Sequence, residues 1–149
     1  MCKSVHFQAR KGFLIRFILA IPLIAVVMVI YTALAIDPNF SAGSAFMDWV
    51  LPSEAELFLT FGDIFVILGL VALFFEIIKA ARLGAGTIVD HMLSTAVFIV
   101  ALIVFLLVPA FGTPAFLLLV IMALIDVVAG YTVSIFSARR DLSVTRDGM

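Results

Sequence analysis

The chain has 149 residues, 65% hydrophobic and 13% charged, with a formal net charge of −1. A soluble domain is about 45–50% apolar and about 25% charged, so this chain has too few polar residues to face water on all sides. The near-neutral balance leaves no footprint for nucleic acid, and its one cysteine, Cys2, excludes an internal disulfide and a cysteine-based zinc site.

A helix needs about 20 apolar residues to cross the hydrocarbon core, and four stretches meet that length. The first runs from about Phe13 to Ile36, with Pro22 inside it expected to remove one helical hydrogen bond and kink it. Ala33-Leu34-Ala35 resembles a signal-peptidase site. The apolar run before it exceeds the usual length of about 7–15 residues, which favours an uncleaved helix. Cleavage after Ala35 would leave three spans and place the N-terminus outside. Asp37-Pro38-Asn39 ends the first span and opens an outer loop over 37–56. Within that loop Phe46, Met47, Trp49, Val50 and Leu51 flank Asp48, predicting a short helix in the interface with Trp49 at headgroup level.

Pro52-Ser53 then opens the second span, about Leu57 to Ala80, with Ser53 and Glu56 at capping-box spacing. Gly84-Ala85-Gly86 is a stop, and Thr87 with Asp90 repeats the capping-box spacing at the head of the third span, about Ile88 to Val108. Pro109, Gly112, Thr113 and Pro114 mark the next turn. Thr113 is placed as N-cap and Pro114 at the first helical position. The fourth span covers about Ala115 to Ser137. The expected fold is all-α: one polytopic membrane domain over 1–149, its four transmembrane helices in an up-down bundle with antiparallel neighbours.

Orientation follows from the basic residues. All nine Lys and Arg precede or begin the first span, lie at the turn between the second and third, or follow the fourth. The outer loop carries Asp37, Asp48, Glu54 and Glu56 instead. Both termini are therefore expected in the cytoplasm, N-in and C-in, with the chain multi-pass in a bacterial inner membrane.

Asp126 lies midway along the fourth span, about 16 Å from either interface. An ionised carboxylate there costs at least about 2.5–3.5 kcal/mol on insertion scales. No Lys or Arg is expected to reach it, so a neutral carboxyl, hydrogen bonds from a neighbouring helix or access to water must accommodate it. Gly130 and Ser134 follow at four-residue steps, giving a small-residue face that lets membrane helices approach. Two readings stand for this face: a helix-packing hydrogen bond, or a proton or cation site.

Secondary candidates have blander accounts. Asp63 falls at the depth of Tyr31 and Thr32 and is expected to bond them or to reach headgroups through water. Glu76 pairs with Lys79 at helix spacing. Asp90 is absorbed by its capping box. His91 reads as a solvated interfacial side chain. Gly62, Gly69 and Ala72 give the second span a packing face.

Glu76-Ile-Ile-Lys-Ala-Ala-Arg82, then Ile88-Val-Asp-His-Met-Leu-Ser94, then Asp126-Val-Val-Ala-Gly-Tyr131 and Ala138-Arg-Arg-Asp141 make a pattern over the C-terminal half. It resembles small four-helix bacterial inner-membrane proteins with no assigned activity. The resemblance implies location and fold and carries over no site residue. Small multidrug transporters hold their essential acid in the first helix, where this chain has none.

No cofactor or metal is expected, His6 and His91 being too few and too badly placed to hold a haem between helices. The sequence leads to a non-enzymatic accessory or scaffold subunit of a membrane assembly, with lipid and other membrane subunits or itself as partners. A proton-linked small transporter or channel subunit using Asp126 is the alternative.

Overall fold

A computed structural model describes residues 21–82 and 88–146. The described chain is mostly helical, with four α-helices and one two-stranded hairpin. Two helices are long and apolar enough to cross a membrane, over Phe61–Ala80 and Pro114–Phe136.

The first helix, α1, spans Leu23–Ala35. It buries Ile24, Met28 and Tyr31, whose spacing marks one helical face. The kink expected at Pro22 is instead a break. Pro22 stands outside the helix as its N-cap, with extended backbone at φ −62° and ψ 129°. A ψ of that size cannot continue a helical turn. The helix rises only about 20 Å, short of the roughly 30 Å of hydrocarbon. The part of the first span before Ile21 lies outside the described residues, as do the Gly84-Ala85-Gly86 stop and Thr87 of the third span's capping box. After Ala35 the chain turns through Asp37, whose side chain accepts the Asn39 N–H at 2.9 Å.

The segment after α1 corrects the expected interfacial helix. Ala45–Val50 (β1) and Glu56–Thr60 (β2) pair antiparallel, with Met47 opposite Leu59, Asp48 opposite Phe58 and Trp49 opposite Leu57. Aromatic and branched residues suit a pleated ladder, and the Leu51–Ala55 turn reverses the chain. Glu54 takes a left-handed backbone there, φ 64°, and its N–H donates to Leu51 O at 2.9 Å. Ser53 and Glu56 therefore cap nothing.

The second helix, α2, spans Phe61–Arg82 and begins four residues later than expected. Its capping box is Thr60 and Asp63. The Asp63 N–H donates to Thr60 Oγ1 at 3.2 Å, and the Thr60 N–H donates to Asp63 Oδ2 at 2.9 Å. Phe61 N–H and Gly62 N–H donate to Ser44 O and Ala42 O, so the hairpin base satisfies the helix's remaining orphan donors.

The third helix, α3, spans Ile88–Leu107, and a short 3-10 turn over Pro109–Phe111 leads to α4, Pro114–Arg146. Here the expectation holds. Thr113 Oγ1 accepts the Phe116 N–H at 3.2 Å, with Pro114 first in the helix.

The packing order differs from a simple sequential sheaf. Gly62 abuts Ala115 and Gly69 abuts Leu119 and Met122, so α2 and α4 run parallel in close contact. His91 meets Ser134 while Phe105 stacks on Phe116, so α3 runs antiparallel to α4. α4 thus lies between α2 and α3, with α1 packed mainly on α2. The core joins Ile24, Met28, Phe65, Phe116, Leu119 and Ala123 across these helices.

Candidate functional site

Two acids are buried among the described residues, Asp126 and Glu76, each 7% exposed. The parallel course of α2 and α4 brings them to similar levels, about 22 Å along α2 from Phe61 and about 18 Å along α4 from Pro114. Glu76 is fully engaged. Its Oε1 accepts from Lys79 Nζ at 2.6 Å, and its Oε2 accepts the Leu23 N–H at 3.1 Å. The helix pair expected with Lys79 is present. The bond to Leu23 adds an interhelical cap, a carboxylate at the positive end of α1, whose own N-cap Pro22 offers no side-chain acceptor.

Asp126 is less well provided for. Ser94 on α3 faces its carboxyl. Its Oδ2 is buried with no hydrogen-bond partner. Such groups are rare, because an unmade bond in an apolar interior forfeits the whole solvation of the atom. Lys79 is taken up by its ion pair with Glu76.

His91 is not simply solvated. Its Nε2 lies 2.6 Å from Ser134 Oγ, and its ring packs on Tyr131 at 5.6 Å between centroids. Thr95 Oγ1, which donates to the His91 carbonyl at 2.7 Å, lies 3.4 Å from Tyr131 Oη. Gly130 makes this contact possible, since a Cβ there would sit 2.6 Å from His91 Nδ1. Asp126, Gly130 and Ser134 therefore share one face, turned toward protein, as their spacing predicts.

Comparisons with protein-family models, curated proteins and solved structures find no match to this chain. The site rests on its own geometry.

Asp63 does not join it. The carboxylate stays at the opposite end of α2 in its capping box, Tyr31 bonds Thr113 Oγ1 at 2.7 Å, and Thr32 bonds the Val29 carbonyl. Ser94, Thr95 and Tyr131 were not anticipated as members. Ser94 and Thr95 follow His91 by one helical turn, a signal available in the sequence once His91 faces inward.

The resulting polar stripe is one-sided. From Asp126 toward the α4 C-terminus it continues through Ser94, His91 and Ser134. Toward the α4 N-terminus the buried layers are Ala123, Met122, Leu119, Phe116, Phe65 and Tyr31, apolar except for the phenol at the far end. A separate apolar groove of about 480 Å³ lies between α1 and α3, lined by Met28, Val29, Val97, Val100 and Val104 among others.

Proposed function

We propose that this chain is a four-span protein of a bacterial inner membrane, with both termini and the α2–α3 turn cytoplasmic, serving as a non-catalytic subunit of a membrane assembly. The sorting of basic residues carries this reading. Lys79 and the Arg139-Arg140 pair lie toward the C-terminal ends of the parallel α2 and α4, and none lies in the hairpin or the Pro109–Pro114 turn. The open apolar groove between α1 and α3 supports a role in assembly. Single cysteines test the orientation in a Cys2→Ser background. Ser44→Cys is expected to react with an impermeant maleimide from outside intact cells, and Ser143→Cys only after lysis. Labelling of position 143 from outside would overturn the topology. Gentle extraction tests the subunit role, which predicts a hetero-complex; a chain recovered alone counts against it.

A second reading, a proton-linked transporter or channel subunit, is favoured by one observation: the unpartnered, buried Oδ2 of Asp126. Asp126→Asn separates the two. Asn keeps size and hydrogen-bonding capacity but cannot titrate. As a packing residue it preserves stability and complementation, while Asp126→Leu costs about 1–3 kcal/mol by leaving its neighbours unpaired. Normal thermal stability in detergent with lost complementation in the Asn variant would instead make Asp126 a proton carrier.

A further inference from the structure

We infer that the β1–β2 hairpin is a lipid-contact element, the face that carries Met47, Trp49, Leu57 and Leu59 lying on the zwitterionic headgroup–acyl boundary of the leaflet at the α2 N-terminus. The inference rests on the membrane reading above and adds to it a contact outside the spans.

The register sorts the side chains. Alternate residues of a strand face opposite ways, and cross-strand partners share a face. Met47 with Leu59 and Trp49 with Leu57 make one face, wholly apolar. Asp48 with Phe58 and Val50 with Glu56 make the other, where each pair holds one acid. The hairpin therefore has an apolar side and an acidic side. Every residue of β1 is exposed, Trp49 at 65%, and in β2 only Leu59 and Thr60, beside α2, are half-buried. A two-stranded hairpin left bare is marginal in water, and a contiguous apolar patch of a few hundred Å² marks an interaction surface.

Position, size and charge together name the occupant. β2 runs directly into α2, whose apolar span begins at Phe61, and Ser44 O and Ala42 O accept the Phe61 and Gly62 N–H groups. The hairpin base is thereby tied to the end of a span, where bilayer meets water. The four apolar side chains expose on the order of 400 Å², about half of the roughly 800 Å² per partner that a stable protein interface buries. A second copy gains too little from this face alone, whereas binding to lipid scales with the apolar area buried and needs no such minimum. Residues 37–60 hold Asp37, Asp48, Glu54 and Glu56 and no Lys or Arg. They would be repelled by an anionic surface, so the boundary that fits is zwitterionic. With the apolar face down, Asp48 and Glu56 turn to water and the Trp49 indole sits at headgroup level, which an indole favours.

Trp49 is the one tryptophan of the chain, so its fluorescence reports this face without a label. The test places the full chain in phosphatidylcholine vesicles, with or without lipid brominated near the headgroup end of its acyl chains. Brominated lipid is expected to lower Trp49 emission about twofold, as an indole at headgroup level requires, and aqueous acrylamide to reach it poorly. Leu57→Glu, which puts a charge on the apolar face, should move the emission to longer wavelength and weaken quenching by lipid. Phe58→Glu, on the acidic face, should change neither, and circular dichroism checks that both variants keep their helix content. Quenching by acrylamide and not by brominated lipid would show a wet face and overturn the inference. Quenching by neither would show a face covered by protein and overturn it too, as would equal effects of the two substitutions. Release of the chain from the vesicles by alkaline carbonate would sink the membrane reading itself, and this contact with it.

Discussion

Tyr31→Ala is expected to be among the most damaging single substitutions in the molecule. The ring is fully buried and meets Phe65 edge-on at 5.2 Å, Phe116 at 5.4 Å and Phe40 at 6.3 Å. Its hydroxyl lies 2.7 Å from Thr113 Oγ1, the group that caps α4. Removing it opens a cavity where α1, α2 and α4 meet and releases the α4 cap from its support. Large-to-alanine changes of this kind cost about 3–5 kcal/mol. Under the membrane reading proposed above the term is mainly lost packing, since hydrocarbon outside is as apolar as the core. Tyr31→Phe retains the rings and loses only the hydroxyl contact, about 1 kcal/mol. Thermal unfolding in detergent measures both. A Tyr31→Ala variant as stable as Tyr31→Phe would show that the aromatic layer is not packed in this way.

Gly130 should prove equally intolerant for the opposite reason. Its Cβ would fall 2.6 Å from Nδ1 and 2.9 Å from Cε1 of His91. That ring cannot swing aside freely, being held by Ser134 and packed against Tyr131. Gly130→Ala is expected to cost about 1–3 kcal/mol by overpacking, and Gly130→Leu to abolish folded yield. Leu124→Phe, on an exposed face of the same helix, should be tolerated. So should Gly43→Ala, where the nearest atom is Ser41 Oγ at 3.9 Å. His91→Ala placed in the Gly130→Ala background should recover much of the loss, because it removes the ring that the new methyl strikes. No recovery would mean that α3 and α4 do not meet at this point.

The helices were legible because each is a long apolar run punctuated by Pro, Gly or Thr, and local chemistry governs such ends. Thr113 and Pro114 are the clearest case. The hairpin was not legible, since Phe46 to Leu51 has no clean alternation and all of β1 is exposed, leaving no buried face to impose one. Thr60-Phe-Gly-Asp63 has the spacing of a capping box as surely as Ser53-Glu-Ala-Glu56 does, and only the hairpin's register decides between them. The small-residue face around Asp126 was visible from its four-residue steps. Its company was not. Glu76 comes to its level because α2 and α4 run parallel with an offset set by Gly62 and Gly69, a long-range fact that periodicity does not encode. His91 reads as a wet interfacial residue until Gly130 is seen beneath it.

The central position of α4 bears on how the protein is made. The α1–α2 hairpin can pack as soon as both helices have left the ribosome, and Glu76 can then cap Leu23. α3 gains no comparable partner at that stage, because among the described residues its main contacts are with α4. α4, made after both, is therefore the helix that α2 and α3 await, inserting between them as a wedge. Until it arrives, the α2 face with Gly62 and Gly69 and the α3 face with His91 and Ser94 remain uncovered by their partner helix. Assembly becomes a single late event, and a translation arrest before Phe116 would leave two separate fragments of a bundle.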